Sequence, residues 1–142
     1  MMLAPFRPLI NRPPRRDNEA RLSGMIEHLR SKVLGERHIA EKLHVLFLDA
    51  GRSRIGEGAF GIGSVDALIL RMREVFERAL SLRASAMILA HNHPSGICRP
   101  SRADIAATSQ LCTICSALEI ELVDHLIFTR ESVYSMRAGG HL

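Results

Sequence analysis

The 142-residue chain contains no tryptophan and a single tyrosine, Tyr134. So small an aromatic supply leaves little for a platform on which the bases of single-stranded nucleic acid could stack. Its three cysteines, Cys98, Cys112 and Cys115, are odd in number and too few for the disulfide framework of a small secreted protein. No apolar run approaches the roughly 20 residues that span a bilayer. The N-terminus, Met1-Met2-Leu3, meets Pro5, Arg7 and Pro8 too soon to hold the apolar middle of a signal peptide. A cytoplasmic protein without membrane contact is therefore expected.

What is present is an ordinary globular composition, 46% hydrophobic and 24% charged, in a length that suits one domain with a real core. The net charge of +4 is unevenly placed. Residues 1–21 hold five arginines (Arg7, Arg12, Arg15, Arg16, Arg21) against Asp17 and Glu19, so three of the four excess charges belong to that segment. With Pro5, Pro8, Pro13 and Pro14, residues 1–17 read as a disordered Pro/Arg-rich arm. Weak contact with nucleic acid through the arm is a partner reading that the remainder of the chain does not share.

From Asn18 onward, residues 18–142 form the expected domain. Leu22, Met25, Ile26, Leu29 and Val33 recur at helical spacing, with Gly35 as a stop. Leu43–Leu48 and Ile55 to Ile62 read as two strands of a hairpin joined through Asp49-Ala50-Gly51. A helix over Asp66 to Leu82, a short apolar strand over Ala84–Ala90, a helix over Arg102 to Leu118 and strands over Ile120–Phe128 and Ser132–Met136 follow. This order implies an α/β fold, a mixed β-sheet flanked by helices.

The chemistry lies in His91-Asn92-His93-Pro94-Ser95-Gly96 and Pro100-Ser101-Arg102-Ala103-Asp104. Residues i and i+2 at a strand end share a face, so His91 and His93 can reach one ion, while Asn92 points away. Asp104 falls in the first turn of the next helix. Two imidazoles and a carboxylate leave a fourth position free, the catalytic form of zinc coordination. Plainer readings stand beside this one. The histidines can be a hydrogen-bonded core pair, and Ser101-x-x-Asp104 is also what a capped helix start looks like. The whole spacing, H-x-H-x(7)-S-x-x-D, arises by chance on the order of once in a thousand such chains.

These residues resemble the metal signature of the JAMM (JAB/MPN) metallopeptidases, and their surroundings resemble the bacterial RadC family. The likeness is carried by Leu46-Phe47-Leu48-Asp49, Arg73-Glu74-Val75-Phe76, Ile88–Gly96, Pro100–Asp104, Asp124-His125-Leu126-Ile127 and Ser135-Met136-Arg137, and covers about Ile39 to the C-terminus. It implies a cytidine-deaminase-like fold, zinc on His91, His93 and Asp104, and Ser101 steadying an oxyanion. It further implies an essential glutamate just before the first strand, the place of Glu41. The implied activity is zinc-dependent hydrolysis of a peptide or isopeptide bond in a peptide or protein substrate. By the residues alone, Glu41 is a solvated charge at a helix end, and Glu57 is a second candidate for the base. The family carries a DNA-repair name, and the short arm is expected in place of the helix-hairpin-helix region of its longer members.

Other residues have quieter readings. Asp124 and His125 read as a buried hydrogen-bonded pair closing a strand, with support of the metal site as the alternative. Cys112 and Cys115 fit core packing, and Cys98, near the metal turn, is the conceivable fourth ligand that would close the site. A zinc deaminase would need H-x-E and P-C-x-x-C; Asn92-His93 and Leu111-Cys112 break both halves. The remaining alternatives are a non-catalytic DNA-associated or protein-interaction module on the same fold, and a metal that only staples the fold.

Overall fold

A computed structural model of the protein describes residues 15–35, 40–61 and 67–142. The elements are α1 (Arg15–Val33), β1 (Lys42–Leu48), β2 (Arg54–Gly61), α2 (Ala67–Ser81), β3 (Ala86–Asn92), α3 (Arg102–Ala117), β4 (Glu121–Phe128) and β5 (Val133–Ser135). They match the expected order element for element. The helix α1 begins at Arg15, so residues 15–17 are helical, in place of the arm expected there. Pro13-Pro14 directly before it and Asp17 in its first turn suit a helix start. Residues 1–14 of the expected arm, the strand end at Ile62, the helix start at Asp66 and Ile39 lie outside the described residues.

The sheet runs β2-β1-β3-β4-β5. β1 pairs antiparallel with β2 and β3, β3 runs parallel to β4 with α3 as the crossover, and β5 pairs antiparallel with β4. Because β1 and β3 are central and covered on both sides, their sequences are nearly continuous apolar runs. Leu43, Val45, Phe47, Met87 and Leu89 face α2 and α3, where Val75, Phe76, Ala107 and Leu111 pack on them. Leu46, Leu48, Ile88, Ala90, Leu126 and Phe128 face the other way and bury Leu29 and Val33 of α1.

One irregularity decides what the α3 face carries. Between Met87 and Ile88 of β3 the partner on β4 skips from Leu122 to Asp124, so Val123 is an extra residue. Strict alternation from Leu122, which faces α3, would turn Asp124 and Leu126 to that side. The bulge shifts the phase instead, putting His125 on the α3 face and Leu126 with α1.

Candidate metal centre

His91 lies inside β3 and His93 just past its end, where the His93 N–H still bonds to the Phe128 carbonyl at 2.9 Å. The extended geometry therefore continues through both residues, and their side chains leave on one face. The turn His93-Pro94-Ser95-Gly96 follows, closed by Gly96 N–H to His93 C=O at 3.1 Å. Gly96 sits at φ +83°, a conformation that costs a side-chain-bearing residue strain. The turn brings the Ile97 carbonyl back to 2.9 Å from His93 Nδ1.

Asp104 comes from the first turn of α3. Ser101 caps this helix: its hydroxyl oxygen accepts from the Asp104 N–H at 3.0 Å, and Asp104 Oδ2 accepts from the Ser101 N–H at 2.9 Å. The reading of this spacing as a helix start and the reading of it as a metal motif are thus both satisfied by one geometry.

Three ligand-type atoms meet in the middle. His91 Nε2 and His93 Nε2 are 3.0 Å apart, His93 Nε2 is 3.0 Å from Asp104 Oδ2, and His91 Nε2 is 3.4 Å from Asp104 Oδ1. The three residues form a group able to hold a metal ion, and all three are buried. Burial alone would raise the Asp104 carboxyl, but the imidazoles of His91 and His93 beside it and the Ser101 backbone N–H hold it well below the usual carboxylate range. Asp104 is therefore ionised, as a ligand must be.

The surrounding hydrogen bonds fix which nitrogens carry protons. Thr108, one helical turn after Asp104, donates its hydroxyl to the Asp104 carbonyl at 2.7 Å. Having one hydrogen, it can only accept from His125 Nδ1, 2.8 Å away. His125 Nε2 then bears a lone pair and accepts from His91 Nδ1 at 2.7 Å. His125 is wholly buried, and burial first, then the charge of His91, pushes its pKa well below the ordinary value, so it is the neutral ring this chain of bonds requires. His91 is left with its proton on Nδ1 and a bare Nε2.

At His93 the Ile97 carbonyl can only accept, which places that proton on Nδ1 as well. Two bare imidazole nitrogens and a carboxylate thus face one point. A shared cation satisfies all three. Without one, the hydrogen bond to Asp104 is the main cause that raises the His93 pKa and favours its protonated form, which cation binding would oppose.

The remaining sequence candidates divide. Glu41 precedes β1 and lines a cavity of about 290 Å³ together with His93, Arg99 and Ser101. Its Oε2 is buried with no hydrogen-bond partner among the described residues. Asn92 points away from the ligands, as expected. Its Oδ1 accepts from the Lys42 N–H at 2.6 Å and its Nδ2 donates to the Ala40 carbonyl at 3.3 Å, clamping the backbone on both sides of Glu41. Glu57 lies on the opposite face of the sheet with His28 and His44.

Cys98 donates to the Ile127 carbonyl at 3.5 Å and is not among the grouped ligands. Cys115 is buried in the α2–α3 core, where burial pushes its thiol up to about 12, and Cys112 packs at the margin of that core. Asp124 and His125 are hydrogen-bonded, but only through the backbone: Asp124 Oδ1 accepts from the His125 N–H at 2.8 Å. The Asp124 carboxylate also takes the Ser135 hydroxyl at 2.5 Å and the Arg137 N–H at 3.1 Å, whereas the His125 ring supports His91, the alternative reading. Thr108 was not singled out by sequence reasoning. The signal was its i+4 spacing from Asp104, which places both on one helix face.

Among the described residues, a mixed sheet with three helices and a His-His-Asp cluster at the end of a central strand defines an α/β domain of the JAB type. The model of the RadC-like JAB domain matches residues 20–141, and the chain belongs to that family. It is 46% identical over 102 residues to a UPF0758 protein of Rhodobacter capsulatus, covering 72% of this chain and 48% of that protein. A UPF0758 protein of Leptothrix cholodnii is 43% identical over 102 residues, 72% of this chain and 46% of its own length. One from Vibrio vulnificus is 39% identical over 110 residues, 78% of this chain and 49% of its own. The chain thus spans about half the length of these relatives. Among the described residues, no helix is long and apolar enough to cross a membrane.

Proposed function

We propose that the protein is a zinc-dependent hydrolase of the JAMM type, acting on a peptide or isopeptide bond. The observation that carries this reading is the convergence of His91 Nε2, His93 Nε2 and the Asp104 carboxylate on one point. His91, His93 and Asp104 would hold the ion, and two imidazoles with one carboxylate favour zinc among common divalent metals. When bound, zinc supplies a Lewis acid that acidifies water and polarises an amide carbonyl.

The chain's own residues supply the rest. Glu41, with an unengaged oxygen in the cavity wall, takes a proton from water and returns it to the departing amine. Ser101 caps α3 through its lone pair, which leaves its hydroxyl hydrogen to donate to the substrate carbonyl oxygen. Asn92 holds Glu41 in place by gripping Ala40 and Lys42.

Zinc content and turnover of a panel of fluorogenic peptides and lysine-linked isopeptides by Glu41→Gln test this. Metal retained with turnover lowered at least 100-fold is expected. Metal retained with turnover unchanged removes Glu41 from the mechanism.

A further inference from the structure

A second group of ligand-type side chains lies on the opposite face of the sheet. His28 descends from α1, His44 rises from β1, and Glu57 stands on β2 diagonally across the antiparallel pair, in which Leu46 opposes Glu57 and His44 opposes Ala59. Both imidazoles present Nε2 to the same carboxylate oxygen, Glu57 Oε2, at 2.8 Å from His28 and 2.7 Å from His44. The three atoms lie mutually close enough to surround one ion. His44 is buried, whereas His28 and Glu57 are partly exposed, so an ion has a way in from solvent.

From this juxtaposition of three side chains on three elements, we propose that His28, His44 and Glu57 form a second binding site for a divalent transition-metal cation of the zinc type. The donor set is two borderline imidazoles and one hard oxygen, the same chemistry as the first centre. Glu57 carries its negative charge at neutral pH, because its contacts with His28 and His44 lower its pKa from 4.5 to about 2. Arg54 stands 4.0 Å from the other carboxylate oxygen, Oε1, and leaves Oε2 to the imidazoles. His28 also lines a cavity of about 440 Å³ together with Arg21, Arg52 and Arg54, from which water or a small anion could reach an ion as a further ligand. An ion in this place ties α1 to the β1–β2 hairpin, which among these three residues is otherwise joined to α1 by the single His28–Glu57 hydrogen bond. The alternative is that both imidazoles simply donate Nε2–H to Glu57 and no ion enters.

The two centres separate in a stoichiometry experiment on the full chain. After dialysis against excess zinc and removal of free metal, two equivalents per chain are expected. Glu57→Gln should hold one, and Asp104→Asn should hold the other. A wild-type protein with one equivalent that Asp104→Asn abolishes and Glu57→Gln spares overturns the second site alone. One equivalent lost in Glu57→Gln and kept in Asp104→Asn overturns the first site and sustains the second. Imidazole nitrogen NMR of the unmutated protein needs no variant to fold. Zinc should move the Nε2 resonances of His28 and His44, and resonances of both unmoved at saturating zinc would refute the proposal.

Discussion

Removing His125 is the sharpest test of how the first centre is built. His125 is fully buried and stands between His91 and Thr108, receiving the His91 Nδ1–H at 2.7 Å and giving its own Nδ1–H to Thr108 at 2.8 Å. In His125→Leu the His91 Nδ1–H loses its acceptor in a place water does not reach. An unsatisfied buried donor costs about 1–3 kcal/mol. Loss of a partner that orients a metal-bound histidine typically weakens metal binding about 10- to 100-fold. The same lost bond is the source of both effects. Zinc affinity, measured by competition with a chromophoric chelator, should fall within that range, and the metal-free protein should melt earlier. Thr108→Val keeps the shape but frees the His125 tautomer, so its loss of affinity should be smaller than that of His125→Leu. A folded His125→Leu protein that binds zinc as tightly as wild type would refute the argument that this ring sets the His91 tautomer.

Two further outcomes follow from other parts of the molecule. Asn92→Ala removes both clamps on the segment carrying Glu41 and should lower peptide turnover about tenfold or more while leaving zinc content at wild-type level; equal turnover would separate Glu41 from Asn92. Glu57 has a folded-state pKa depressed from 4.5 to about 2, so its stabilising effect is complete above pH 4.5 and is lost as pH falls toward 2. Urea midpoints of wild type and Glu57→Gln should accordingly converge as pH drops through that window, and a constant gap would contradict the pairing with His28 and His44.

Local patterns made most of this architecture readable. The all-apolar runs of β1 and β3 are what a doubly covered strand requires, and Ser101-x-x-Asp104 is a helix start by its own chemistry. The i, i+2 spacing of His91 and His93 needed only an extended chain to become one ligand face. What escaped depends on register and tertiary contact. The Val123 bulge reverses the phase of β4, and nothing in Glu121–Phe128 announces it, so that His125 and not Asp124 turns toward the metal face was not legible. The meeting of His28, His44 and Glu57 joins residues 29 and 13 positions apart on three elements. Only the docking of α1 against the hairpin creates it. Glu41 was legible by its resemblance to a family position, while the reason it stays in place, the grip of Asn92 across 50 residues of sequence, was not.

The central claim is that one cation binds between His91, His93 and Asp104, and diffraction from zinc-loaded crystals on both sides of the zinc absorption edge tests it most directly. The account predicts an anomalous peak about 2.0–2.2 Å from His91 Nε2, His93 Nε2 and an Asp104 carboxylate oxygen. Fully loaded crystals with no peak at that point, or with zinc held there through an Nδ1 atom, would contradict it.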